Sequence, residues 1–472
     1  MTERVAERVR VPFVPKVAHA LARNSLVHRA LNSEPVHWGL DKLVVSLYIR
    51  SLRDPENKSR INPTSETMLG KLGKLERIIH PFFPDRDRVF ETKMGGSIRT
   101  NLEKSIETGE ETNLVRKIKR TMNLMGEKYL KTILLDYLVV NFGLGTLNEY
   151  FLAKEGKPFF HYLALQVNSE CNAKPRCPGC FAARDKDKLD FATMDKTVGE
   201  SKALGTRFTI ALGGETLLEK ENLFKLFRKY PRMPFLVATN GILVDEAYAK
   251  EVAQMGNVIT MINTPGLEPT TTKIRRTPEA WESIRKAAEN LRKYGAASGF
   301  ASTVYRSNFK EVSSPEFVQQ MIDFGMILGL YFGYTDPIGC SPQKELGLTP
   351  QMNEEFSQRV KDVSSTHPMF LVDTSGGREK LIGGCPAGKA GLIYVQSNGN
   401  VGACPMVPQM DKRLNVRTNS MEEILKSSYF EAIREGKPSC LRNPVFLSKL
   451  PTPVPLIFER KPKSKSQQGN QS

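Results

Sequence analysis

From about Phe159 onward, short apolar runs alternate with stretches of helical spacing. Phe159 to Val167, Arg207 to Leu212, Phe235 to Ala238, Val258 to Ile262, Ser298 to Val304 and Leu328 to Tyr334 read as strands. They are compact runs of aliphatic, β-branched and aromatic residues, two of them running into Gly213-Gly214 and Thr239-Asn240-Gly241. Between them Met194 to Leu204, Asp245 to Met255, Pro278 to Tyr294 and Pro315 to Phe324 repeat apolar residues at helical spacing. Six strands with intervening helices predict an α/β fold around a parallel sheet, open or barrel-like. In such barrels the chemistry sits on loops that follow the strand C-termini.

The flanks have a different texture. In residues 1 to 155, Leu114, Ile118, Met122 and Met125 recur at helical spacing among Arg116, Lys117, Lys119 and Arg120, and a second helical stretch spans Tyr129 to Leu147. Two readings fit these basic amphipathic helices: core packing with solvated cationic faces, or a membrane-surface or substrate-docking face. Asp54 to Ser65 and Pro81 to Pro84 read as breaks. After Cys340 the alternation fades: Pro342 to Pro350 is loop, Met352 to Val363 and Met421 to Ile433 are helical, and Ile382 to Cys404 is a small glycine-bearing β-element. From Pro444 the chain is proline-rich and ends in a basic, polar tail, a composition that favours disorder. The expected organisation is a mainly helical region (1–155), an α/β barrel (156–340), a small C-terminal domain (341–443) and the tail (444–472).

Composition narrows the class. The chain has 472 residues, 40% hydrophobic and 25% charged, enough for a sizeable core. Its net charge of +17 suits a polyanion such as nucleic acid, anionic lipid or an acidic substrate, or serves only to keep the surface soluble. No apolar run reaches the length of about 18 residues needed to span a membrane. The best candidate, Thr132 to Leu147, is interrupted by Asp136 and Asn141. The N-terminus has no clear secretory signal, so a cytoplasmic setting with reduced thiols is expected, with membrane-peripheral contact as the variant. Seven cysteines in so long a chain are not a disulfide framework.

Three of them fall on one loop, Asn168-Ser-Glu-Cys171-Asn-Ala-Lys-Pro-Arg-Cys177-Pro-Gly-Cys180-Phe181, directly after the first strand. Closely spaced thiolates suit zinc or an iron–sulfur cluster. A closed zinc site needs a fourth ligand, and the nearest histidines, His161 and His367, lie inside a strand and far downstream. A zinc site completed from afar and unligated thiols remain the alternatives. Three thiolates on a four-iron cluster leave one iron open, which is what catalysis needs.

Together with Gly213-Gly214-Glu215 after the second strand, this loop resembles the radical S-adenosylmethionine (SAM) superfamily across about Phe159 to Tyr334. The resemblance implies a partial (β/α)6 barrel in which Cys171, Cys177 and Cys180 hold a [4Fe–4S] cluster and the open iron chelates SAM. It also implies that Gly213, Gly214 and Glu215 meet the SAM amino group, which suits close backbone approach and a carboxylate acceptor. Thr239-Asn240-Gly241 resembles the family's third strand end, and Arg275 and Asn308 fall where similar enzymes place further SAM or structural contacts. An electron from a donor such as flavodoxin or ferredoxin then splits SAM into methionine and a 5′-deoxyadenosyl radical that takes hydrogen from a substrate. The spacing here is Cys-x5-Cys-x2-Cys, two residues longer in its first arm than the commonest pattern.

Downstream, Cys385-x13-Gly399-x4-Cys404 and the run Thr418 to Ile424 resemble the opening of SPASM and twitch domains, which hold auxiliary iron–sulfur clusters. The dense middle cysteines of SPASM are absent, so this resemblance implies at most one auxiliary cluster, with candidate ligands Cys340, Cys385, Cys404 and Cys440. The substrate class stays open between a peptide, a lipid or isoprenoid, and another small molecule. A non-catalytic metal-stabilised nucleic-acid module is the reading from another class. No acid or base stands out; Asp336, at the sixth strand's end, suits a turn or a substrate-side role.

Overall fold

The computed structural model describes residues 112–126, 156–180, 186–335, 345–374, 391–407 and 412–436, with Lys104, Thr108, Lys128, Tyr129, Thr132, Leu152, Ala182 and Ala387 besides. Cys340, Cys385, Cys440, Asp336, Phe181, most of the Tyr129 to Leu147 stretch, the two early breaks and the tail lie outside the described residues.

Six β/α units follow one another. The strands are β1 (Tyr162–Gln166), β2 (Phe208–Leu212), β3 (Phe235–Thr239), β4 (Val258–Asn263), β5 (Ser298–Val304) and β6 (Leu328–Gly333). Among the described residues the helices are α1 (Asn113–Leu124), α2 (Phe191–Ala203), α3 (Lys220–Lys229), α4 (Glu246–Met255), α5 (Glu268–Arg275), α6 (Ala280–Lys293), α7 (Phe309–Val312), α8 (Pro315–Asp323), α9 (Pro350–Thr366), α10 (Met421–Leu425) and α11 (Ser428–Gly436). Three short strands follow: β7 (Phe370–Asp373), β8 (Leu392–Val395) and β9 (Val401–Gly402). The sheet order is β7-β6-β5-β4-β3-β2-β1-β8-β9, parallel throughout except for β9 against β8. Sequential parallel strands linked by outer helices make a partial (β/α)6 barrel, extended by β7 at one edge and β8–β9 at the other.

Local chemistry sets the helix starts. Asp190 caps α2 by accepting from Thr193 N, Asp245 caps α4 by accepting from Tyr248 N, and Thr349 followed by Pro350 opens α9. Ser420 and Glu423 form a capping box on α10. The convex face of the sheet carries the core. Phe300 and Tyr331, both fully buried, meet each other and the rings of Phe317 and Phe356 edge-on. The opposite face of β6 points into the barrel, where Phe332 is 45% exposed.

The basic segment around α1 packs on the barrel, with Met125 and Tyr129 in the core. Of its apolar stripe, Met125 is buried while Leu114 and Ile118 are only half-buried; the buried pair inside the helix is Val115 and Lys117. Its polar groups reach the C-terminal ends of the barrel helices. Asn113 Nδ2 and Lys117 Nζ donate to Ser364 O at 2.8 and 2.6 Å, and Arg116 donates to Thr366 O at 3.4 Å, all at the end of α9. Arg120 donates to Ile322 O and Met326 O, both at 2.7 Å, at the end of α8. Gly126 N donates to Gly295 O beyond α6, and Lys128 Nζ and Tyr129 Oη donate to Gln254 O and Val252 O in the last turn of α4. The segment is a strap across the N-terminal end of the barrel. Its cations sit at the negative ends of helix dipoles and satisfy last-turn carbonyls. Lys117 and Arg120 are therefore engaged by the barrel, while Arg116 lies exposed beside them. No helix among the described residues is long and apolar enough to cross a membrane.

Candidate active site

All barrel strands run the same way, so their C-terminal ends form one rim. Onto it open the Cys171–Cys180 loop after β1, Gly213-Gly214-Glu215 after β2, Asn240 after β3, α5 after β4, Tyr305 to Asn308 after β5 and Tyr334 after β6. The exposed large apolar side chains among the described residues, Leu218, Ile242 and Phe332, lie at this rim too.

The two glycines are explained by the loop that crosses them. A Cβ on Gly214 would lie 2.2 Å from Glu170 O and 2.5 Å from Ser169 O, and one on Gly213 would lie 2.7 Å from Asn168 Oδ1. The absent side chains let the backbone leading into Cys171 lie directly on the end of β2. Hydrogen bonds fix it there: Gly214 N donates to Asn168 O at 3.1 Å, Glu215 N to Glu170 O at 2.7 Å, and Asn168 Nδ2 to Glu215 O at 2.9 Å.

Glu215 is 1% exposed, and its carboxylate turns inward. It accepts from Thr239 Oγ1 at 2.7 Å, from Asn240 N at 2.8 Å and from Leu217 N at 3.0 Å. Burial raises its pKa, opposed by these three donors and by the positive charge of Arg275. Asn240 in turn donates from Nδ2 to Asn172 Oδ1 in the cysteine loop at 2.7 Å. The expected residues Gly213, Gly214, Glu215, Thr239 and Asn240 thus form one network that ties the ends of β2 and β3 to the cysteine loop.

Cys171, Cys177 and Cys180 are half-buried at the rim, and none is in a disulfide. Cys180 N donates to Cys177 O, closing the Cys-Pro-Gly-Cys turn, in which Gly179 adopts φ +64°. A Cβ on Gly179 would lie 2.2 Å from the Tyr334 ring. Tyr305 Oη donates to Pro178 O at 3.1 Å, and the two tyrosine rings lie 5.5 Å apart. Burial, with Cys177 and Cys180 nearby, pushes the Tyr305 phenol up to about 12, with Arg275 pulling against it, so it remains a donor. Arg275 NH1 stands 3.6 Å from Cys177 Sγ while its NH2 holds Asn263 Oδ1 at 2.5 Å and Asn263 O at 3.1 Å. Asn308 is 1% exposed: it accepts from Tyr305 N and donates to Pro265 O and Thr303 O, tying β5 to the chain after β4. Tyr305, Tyr334, Asn168, Asn172 and Asn263 were missed by sequence reasoning. Their one available signal was position, since each follows or closes a barrel strand.

These residues fit an iron–sulfur cluster by the chemistry of the donor set: three thiols on one loop, a cation beside one of them, and a backbone cradle that a Cβ would fill. Among the described residues no three His, Cys, Asp or Glu are gathered as for a single metal ion. A four-iron cluster makes a different demand, one thiolate on each of three separate irons.

Cys404 stands elsewhere. β9 pairs antiparallel to β8 with Tyr394 opposite Gly402, and β8 pairs with β1 so that Leu392 is level with Tyr162. Two residues past Gly402, Cys404 is level with the start of β1, whereas the triad follows its end. At a rise of about 3.3 Å per residue, four residues of strand put the two levels about 13 Å apart. Cys404 therefore does not join the triad's site.

Residues 166–311 match the model of the Radical SAM superfamily. Over 165 residues the chain is 22% identical to Fe-coproporphyrin III synthase of Methanosarcina barkeri, a match spanning 34% of this chain and 40% of that protein. The crystal structure of Streptococcus suis SuiB bound to precursor peptide SuiA covers 72% of this chain and 80% of its own, with a TM-score of 0.50 and 14% identity, a likeness of fold. Native anSMEcpe with bound AdoMet gives a TM-score of 0.47 at 20% identity, over 58% of this chain and 82% of its own. Radical SAM enzymes use a [4Fe–4S] cluster and SAM. From residue 166 to residue 311, this chain carries a radical SAM domain.

Proposed function

We propose that the chain is a radical SAM enzyme whose cluster is held by Cys171, Cys177 and Cys180 and whose substrate is a peptide that loses a hydrogen atom in an oxidative or maturation reaction. The observation that carries the reading is the rim itself: three half-buried thiols on the β1 loop, seated on Gly213-Gly214 and tied through Glu215 to the next strand. When bound, the cluster and SAM supply a 5′-deoxyadenosyl radical from one electron and one broken carbon–sulfur bond. The chain's own residues set the stage for that event. Asn168 and Glu215 fix where the cysteine loop lies, and Tyr305 and Tyr334 hold its second arm from the far side of the barrel. Gly213 and Gly214 leave backbone, not side chain, facing the loop.

The peptide substrate is supported by the SPASM-like spacing of Cys385, Gly399 and Cys404 and by the fold shared with SuiB, which was crystallised with a precursor peptide. On the same reading Cys404, with Cys340, Cys385 and Cys440 as the other candidate ligands, holds one auxiliary cluster. A low-potential one-electron donor such as flavodoxin or ferredoxin is the required partner.

The test is anaerobic reconstitution with iron and sulfide, reduction, addition of SAM, and measurement of 5′-deoxyadenosine. Wild-type chain is expected to form it, and a Cys171→Ala, Cys177→Ala, Cys180→Ala variant is expected to form none while keeping iron at the auxiliary site. A wild-type chain that binds zinc, builds no cluster and ignores SAM refutes the reading.

A further inference from the structure

Arg275 does more than end a helix. It is the last residue of α5, and Arg276 turns the chain out of the helix at φ +59°. Its guanidinium is a planar fork of N–H donors. One prong, NH2, is fixed by both the carbonyl and the side-chain oxygen of Asn263 at the end of β4. The other prong, NH1, is thereby aimed at Cys177 Sγ, 3.6 Å away. The site is half-buried, and Glu215, whose carboxyl feels Arg275, is engaged by other donors.

We propose that Arg275 is a positioning residue that sets the reduction potential of the cluster through the Cys177 thiolate, in a posture enforced by Asn263. The inference rests on the radical SAM reading of the cysteine triad. Reduction adds one electron, delivered by the external one-electron donor, to a cluster that already carries three thiolate charges. A fixed cation and a hydrogen bond at one of those sulfurs favour the more negative, reduced state, and such bonds are among the terms that set cluster potentials. The oxidised cluster gains less from the same contact. Arg275 therefore raises the potential, which brings reduction within reach of the electron donor.

The test is an EPR-monitored redox titration of the full-length, reconstituted protein without SAM, comparing wild type with Arg275→Met, Arg275→Lys and Asn263→Ala. Arg275→Met is expected to shift the reduction equilibrium about tenfold toward the oxidised cluster, about 59 mV more negative for one electron. Arg275→Lys keeps the charge without the fork and is expected to shift less. Asn263→Ala keeps the arginine but frees it, and is expected to shift in the same direction. Iron per chain in each variant separates a tuned cluster from a lost one. Variants with full iron and an unmoved SAM-free potential overturn the proposal, as does a change confined to SAM affinity. A wild-type chain with no reducible cluster overturns the radical SAM reading, and this one with it.

Discussion

Gly214→Ala probes the seat of the cysteine loop with a single methyl group. The added Cβ would sit 2.2 Å from Glu170 O and 2.5 Å from Ser169 O, where ordinary contacts begin near 3.4 Å. Both obstacles are backbone, so no rotamer change relieves them, and the loop must retreat by about 1 Å. Such overpacking costs about 1–3 kcal/mol. The same retreat stretches the Gly214 N to Asn168 O and Glu215 N to Glu170 O bonds, each worth about 0.5–1.5 kcal/mol. The total is about 2–6 kcal/mol, and at about 2–4 °C per kcal/mol the Tm of the apo chain falls by about 4–24 °C. Differential scanning calorimetry measures this, and iron per chain after reconstitution is expected to drop as the loop is displaced. Gly213→Ala is the internal comparison: its closest obstacle is the rotatable Asn168 side chain, at 2.7 Å, so both effects are smaller. A Gly214→Ala chain with wild-type apo Tm refutes the reasoning.

Thr239→Val removes the hydroxyl donor to buried Glu215 at nearly constant volume and is expected to cost about 1–3 kcal/mol in urea unfolding, as for a buried acceptor left without its donor; a loss below about 0.5 kcal/mol would mean the carboxyl finds another donor. Asn308→Asp places a carboxylate against the carbonyls of Pro265 and Thr303 in place of two N–H donors, and a destabilisation of about 3 kcal/mol is expected, absent in an Asn308 variant only if that turn is not buried as described. Burial, with Arg116 adding repulsion, lowers Lys117 to about 8 from an ordinary value of 10.5. Between those values the unfolded chain binds more protons than the folded one, so stability gained from this residue rises with pH. The stability of wild type minus that of Lys117→Met should therefore become more positive from about pH 7.5 to about pH 9.5, and a difference that falls contradicts the assignment.

Much of the barrel was legible because its elements are locally consistent. Ser298 to Val304 was read with its observed bounds, and the helix read as Asp245 to Met255 starts one residue later because Asp245 is its cap. What escaped was decided at long range or hidden by short length. Phe370 to Asp373 is a four-residue strand whose identity comes from pairing with β6. Leu392 to Val395 looked like part of a separate β-element, yet its partner is β1, some 230 residues earlier, a choice no local pattern specifies. The Lys220–Lys229 and Glu268–Arg275 helices lay in stretches that were not assigned, although Leu223, Phe224, Leu226 and Phe227 give the first a clear buried face. At the site, types and spacing identified the cysteines and the Gly-Gly-Glu run. The partners that hold them, Asn168, Tyr305 and Tyr334, are ordinary residues made specific only by the strand ends they occupy. The partners of the strap's cations were not legible because sequence counts charges but cannot see that their acceptors are carbonyls of distant helices.

The strap also has a place in time. Residues 113 to 129 leave the ribosome before any of the carbonyls they serve, which lie 123 to 254 positions further along the chain. At about 5–20 residues per second, the last of those acceptors follows by roughly 10–50 s. Throughout that interval Arg116, Lys117 and Arg120 have no helix ends to occupy, and the nascent chain presents them as an open cationic patch beside half-apolar neighbours. Closure of the strap thus reports completion of the barrel through the end of α9, and a truncation that stops short of Ser364 should leave this patch available to anionic chaperone or ribosomal surfaces.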